Sequence, residues 1–172
     1  MDISASLSHD RSKQNVESIV RYILDHPQTL DELMSLILSE DNALSFRASW
    51  VLGYLDPLGG NLFVPYMDRL LDMLEEKGHH PSVTRNITRL LQNIEIPETF
   101  HGRLTDIAFN ILTAEDQLNA PRANCMTILD KLVKNYPDLK QEFIFVLEEL
   151  LRYKNDPSLQ SRGRKILKRL KL

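Results

Sequence analysis

A single cysteine, a single tryptophan and only 6 glycines are spread over 172 residues. One cysteine excludes an intrachain disulfide framework and a cysteine-based zinc site, and it suits a reducing compartment. So few glycines, with aromatics at 7%, argue against an all-β sandwich built on tight turns. Long hydrophobic runs are missing too. The longest strongly apolar stretch, FIFVL at residues 143–147, falls far below the roughly 20 residues of a membrane-crossing helix. Residues 1–14 are polar and serine-rich, without the apolar centre of a secretory leader, so a cytoplasmic location is expected.

Catalytic signatures are absent as well. The sequence contains no HExxH, CxxC, GxxxxGK[ST], GxSxG or GxGxxG. His79 and His80 are adjacent and point to different sides of the chain, so a turn before Pro81 explains them better than a metal site. No catalytic residue, cofactor or metal is therefore expected.

What the sequence does have is helical periodicity. Val16, Ile19, Val20, Ile23 and Leu24 form one apolar stripe that ends at His26-Pro27, and Leu30, Leu33, Met34, Ile37 and Leu38 form the next. Phe63, Tyr66, Met67, Leu70, Leu71 and Leu74 keep the i, i+3, i+4 spacing of one buried helix face. Similar stripes recur to the end of the chain, and none shows sustained period-2 alternation. Nine helices with short connections are predicted, forming an all-α domain over residues 1–172, with residues 1–11 as a polar tail. Cys125 lies beside Met126 on an apolar stripe, and Trp50 follows Phe46 by one turn in a helix apolar on both sides. Both are expected in the core.

One of these helices, SFRASWVLGYL at residues 45–55, has almost no polar face yet carries Arg47, with Asp41 six residues before it. The pattern repeats. Arginines stand near the start of alternate helices at Arg47, Arg85, Arg122 and Arg162, at intervals of 38, 37 and 40 residues. Six residues before them stand Asp41, His79, Asp116 and Asp156. A fixed period near 40 with two helices per unit is the signature of a helical repeat array. A second helix touching its own partner and both neighbouring repeats must be apolar nearly all round, and it tolerates a cation only if that cation is paired. The acids suit helix starts, where carboxylates accept orphan N–H groups. Pro157 suits the first helical position after Asp156. Pro121, in contrast, moves the helix after Asp116 to a start near Asn119.

Over residues 28–172 the chain resembles the HEAT-repeat (ARM-type) family, whose second helix carries an Asp, an Arg six residues on, and then small and apolar residues. DNALSFRASWVLGYL at residues 41–55 matches best, down to Leu52-Gly53, and DPSLQSRGRKILKRL at residues 156–170 matches fairly. His79, and Thr127 at an apolar position, depart from the pattern. The resemblance implies a right-handed α-α superhelix of about four helix pairs, at residues 28–56, 61–95, 98–136 and 138–171, behind an N-terminal capping helix. It also implies a structural ladder of Asp41, Arg47, Arg85, Asp116, Arg122, Asp156 and Arg162. Over its whole length the chain is similar to short bacterial helical proteins, some of them named adenylosuccinate lyase. The flexible-loop pattern of that enzyme family, GSSxMPxKxN, is absent, and the residues do not support the name.

The expected role is a non-catalytic scaffold presenting a concave surface to another protein, as a monomer or weak homodimer. Helical spacing puts Ser49, Asn86, Arg89, Asn93, Thr127, Lys131, Arg164 and Lys168 on that surface. Charge is the one asymmetry. Residues 152–172 hold eight Lys/Arg and one acid, and the rest of the chain carries a net −10. The basic end reads as a solvated cap on the last helix, or as a contact for nucleic acid, an acidic partner or a second copy. No aromatics interleave with the cations of the last helix, so a nucleic-acid partner of the DNA-repair type is the weaker alternative.

Overall fold

A computed structural model describes residues 1–76 and 78–172. Its described residues hold ten α-helices, five 3₁₀ segments and no strand. They fall into two compact units, Met1–Pro97 and Glu98–Leu172.

In the first unit the helices are α1 (Ile3–His9), α2 (Lys13–Asp25), α3 (Leu30–Ile37), α4 (Asn42–Leu52), α5 (Met67–Glu75) and α6 (Pro81–Leu91). α3 packs on α4 and α5 on α6, while α4 lies against α6 on one side and α1 and α2 on the other. Ile19, Leu33, Ile37, Leu52, Phe63 and Leu70 are fully buried among them. Ser45 donates from its hydroxyl to the Ile37 carbonyl at 2.6 Å and ties α4 to α3.

Two expectations change here. The polar tail at residues 1–11 is largely helical. Asp2 caps α1 by accepting the Ala5 N–H at 2.8 Å, and Ile3 and Leu7 are buried. Seven residues are too few for a stable isolated helix, so this one depends on docking its i, i+4 apolar pair. The face from Phe63 to Leu74 is also not one helix. Residues Gly60–Tyr66 wind as a 3₁₀ segment around Pro65, which lacks an N–H, and α5 begins only at Met67. Gly60 is required at this corner. A Cβ there would run into the Glu95 backbone carbonyl.

The second unit contains α7 (His101–Thr113), α8 (Asn119–Asn135), α9 (Lys140–Tyr153) and α10 (Pro157–Leu170). α7 packs on α8, α9 on α10, and α8 on α10. As the position of Pro121 required, α8 starts at Asn119. Leu104, Ala108, Met126, Leu129, Phe143 and Leu147 fill the core, with Phe109 edge-on to Phe143. Gly163 lets α10 approach α9, since a Cβ would press on the Leu151 side chain at 2.9 Å.

Candidate functional site

Two acids of the predicted ladder, Asp41 and Asp156, work as helix caps, whereas Asp116 does not: α8 has Leu118 at its cap position and no side-chain cap bond. Asp41 accepts the Ala43 and Leu44 N–H groups at 2.9 and 3.0 Å, and Asp156 accepts those of Ser158 and Leu159 at 2.9 and 3.1 Å. These bonds, the Ser158 hydroxyl foremost, hold the Asp156 carboxyl below its ordinary value. In the second position of the series His80, not His79, caps: its Nδ1 accepts the Ser82 N–H at 3.2 Å. His79 contacts Glu76 at 3.1 Å instead.

Two of the arginines reach main-chain carbonyls of an earlier helix. Arg47 donates to the main-chain carbonyl of Leu7 at 3.1 Å. Arg162 donates to the Ala123 carbonyl at 2.7 Å and the Thr127 hydroxyl at 3.1 Å. Each thus reaches a helix about 40 residues earlier in the chain. An arginine fork suits this, because it can satisfy helix carbonyls as well as carboxylates. Arg122 is the most buried, at 1% exposure, and donates to the carbonyls of Ala114 and Glu115 while its Nε makes no hydrogen bond. Burial pushes this guanidinium below its usual value, against the nearby Asp116 carboxylate, which raises it. Arg85 is half-buried on α6.

Of the predicted partner-facing residues, Arg89, Asn93, Lys131, Arg164 and Lys168 are exposed, and Thr127 is half-buried. Ser49 and Asn86 are not on the surface. Both are buried, with Asn86 Nδ2 donating to Ser49 Oγ at 3.1 Å and Ser49 donating to the Phe46 carbonyl at 2.7 Å. Together they form a neutral polar bridge between α4 and α6. Helical phase explains the displacement: two residues beyond Arg47, Ser49 is turned by about 200°.

The open side of α4 is aromatic and cationic. Phe46, Trp50 and Tyr54, spaced by four residues, are all half-buried, so Trp50 is not the core residue expected. The His80 ring lies over Phe46 at 4.2 Å, and the Arg89 guanidinium sits 4.1 Å above the centre of the Tyr54 ring. Phe46, Arg47 and Trp50 line a cavity of about 450 Å³, bounded also by Leu7, Asp10, Arg11, Asn42 and His80. Sequence reading missed this face because aromatics at i, i+4 and i+8 look the same whether they face a core or solvent. The signal that could have found it is the arginine placed among them.

The second unit has a larger cavity of about 640 Å³, between α7 and α9, with Arg122 in its wall and Phe145 and Tyr153, 65% and 72% exposed, among its lining residues. Its basic helix α10 is partly neutralised. Arg169 pairs with Asp130, Lys171 with Glu148, and Arg164 donates to Gln160 at 3.1 Å.

Cys125 is core, and burial pushes its thiol up, which keeps it unreactive. Tyr66 donates to Asp31, and burial first and that carboxylate second push the phenol up to about 12. Among the described residues no cluster of three His, Cys, Asp or Glu could hold a metal ion, and no helix is long and apolar enough to cross a membrane.

Paired helices, each second helix packed on the next second helix within its unit and marked by a recurring Asp and Arg, define an all-α helical-repeat protein. The HEAT repeat domain family model matches residues 3–170, and the chain belongs to the HEAT repeat family. Searches of curated proteins and of solved structures returned no match.

Proposed function

We propose that this chain is a non-catalytic scaffold that binds another protein through the open faces of its second helices. HEAT repeats commonly serve as protein-interaction scaffolds and are generally not enzymes, which supports the class. The observation that carries the reading is the face of α4 and α6. It offers Phe46, Trp50 and Tyr54 with Arg47 and Arg89, the residue types that concentrate binding energy at interfaces. The ion pairs on α10 weaken the nucleic-acid alternative, because they offset two of the cations that phosphates would need.

A photo-crosslinking residue placed at exposed Asn93, on the open side of the α6 end, tests the reading in the native cell. The same residue at exposed Gln141 on α9 serves as control. Protein adducts are expected at position 93 and not at 141. Equal yields at both positions, or adducts to nucleic acid alone, would refute it.

A further inference from the structure

The smaller cavity of the first unit has a composition that selects a ligand. Its wall is aromatic where Phe46 and Trp50 face it, and cationic where Arg11 and Arg47 do. Arg47 commits one donor of its five to the Leu7 carbonyl, which fixes the fork without using it up. Arg11 is exposed. His80 closes one side. Because its Nδ1 accepts the Ser82 N–H, its Nε2 carries the ring proton and is a further donor. Asp10, whose two oxygens accept the Ser12 N–H and hydroxyl at 2.7 and 3.0 Å, stands at the rim with its remaining lone pairs as acceptors.

We infer that this cavity captures a short segment of a partner protein carrying one carboxylate next to an aromatic or large apolar side chain. The carboxylate is held by Arg11 and Arg47, as guanidinium forks hold carboxylates. The neighbouring side chain packs on Trp50 and Phe46, and a peptide N–H can meet Asp10. A volume of about 450 Å³ suits a few side chains rather than an extended strand.

Charge decides between a peptide and a nucleic acid. Residues 1–97 carry eight Lys/Arg and 14 Asp/Glu, a net of −6. Such a background, with Asp10 at the rim, repels a chain of phosphates. It tolerates a single carboxylate in contact with two guanidiniums, because distant charges are screened over about 8 Å at physiological salt. The inference rests on the protein-scaffold reading and names the chemistry of the partner.

Trp50 is the only tryptophan, so emission from the full chain reports directly on this cavity. The probes are fluorescein-labelled octapeptides of Phe, Leu and Ala carrying one Glu at each register, with Gln-for-Glu controls and a dT₂₀ oligonucleotide. Wild type is expected to bind the Glu peptides that place the acid one or two residues from Phe, with a shift in Trp50 emission. The Gln controls and the Arg11→Glu variant should each bind about tenfold more weakly. Arg11 is exposed and outside the core, so that variant should keep the wild-type circular dichroism. Arg11→Lys should recover most of the affinity.

Binding indifferent to the Glu or to Arg11→Glu overturns the inference, as does a Trp50 response to dT₂₀ alone. Peptide binding that leaves Trp50 emission unmoved and is lost in Lys131→Glu also overturns it, yet leaves the scaffold reading standing. Failure of every peptide overturns the cavity assignment, and the crosslink at position 93 then decides the scaffold reading separately.

Discussion

The two compact units solve the same packing problem with different chemistry. In the first, α4 and α6 share the buried, neutral Asn86–Ser49 hydrogen bond, the Arg89 guanidinium of α6 lies over Tyr54 just beyond α4, and the open face of α4 is left to aromatics. In the second, α8 and α10 are joined by charge: Arg162 reaches Ala123 and Thr127, and Arg169 reaches Asp130. The exposed face of that pair carries Lys131, Arg164, Lys165 and Lys168. A repeat array thus needs a polar link between successive second helices but does not dictate its kind. In the second unit Arg169 and Lys171 are held in ion pairs, while Lys165 and Lys168 stay exposed.

The largest expected effects come from breaking either core. Phe63→Ala in the first unit and Phe143→Ala in the second each remove a fully buried ring, and each should cost about 3–5 kcal/mol in urea denaturation. A loss below about 1 kcal/mol at either site would mean that its unit is not packed as described.

The links themselves come next. Arg162→Ala should cost about 1.5–3 kcal/mol, because a charged donor is lost from two acceptors. Asn86→Ala should cost about 0.5–1.5 kcal/mol, since Ser49 keeps its own bond to the Phe46 carbonyl. The reverse order, measured by the same denaturation, would erase the contrast between the units.

The caps are smaller and sharpen the comparison by being the same in both units. Asp41→Ala should cost about 1 kcal/mol, as for other helix N-caps. Asp156 adds a pH signature. Its carboxyl is depressed below 3.8 in the folded chain, so its stabilisation is present above the unfolded value and lost as pH falls through the folded one. The stability gap between wild type and Asp156→Asn should therefore narrow only under acid conditions below the ordinary carboxylate range. A gap that closes near neutral pH would assign it to another group.

The smallest effect is expected on α10. Lys165 and Lys168 are exposed, and replacing both with Gln should change stability by no more than about 0.5 kcal/mol. Neither wild type nor this variant should bind duplex or single-stranded oligonucleotides at 50 or 200 mM salt, in mobility-shift assays at about these concentrations. A salt-sensitive shift abolished by the double substitution would restore nucleic acid as the partner of the second unit.

Several features were legible in the residues alone. Apolar positions at i, i+3 and i+4 determined the helices from α2 onward, because a 3.6-residue period leaves one face to bury. The recurring Asp and Arg, spaced near 40, determined the repeat and hence the HEAT family, since a fixed period with two helices per unit marks a helical repeat array. Pro121 determined where α8 begins, because its ring suits the first turn and not a helix interior.

The tertiary structure decided the rest. A helix shorter than its nucleation length is invisible in isolation, so α1 exists only where Ile3 and Leu7 find a core. Arg47 and Arg162 each find a main-chain carbonyl, because a long side chain takes an acceptor that the neighbouring helix brings within reach. The same neighbours fix which side of α4 stays open. With α6 on one side and α1 and α2 on the other, Ser49 is buried and Trp50 is left at the rim of a cavity, a choice that spacing along one helix does not contain.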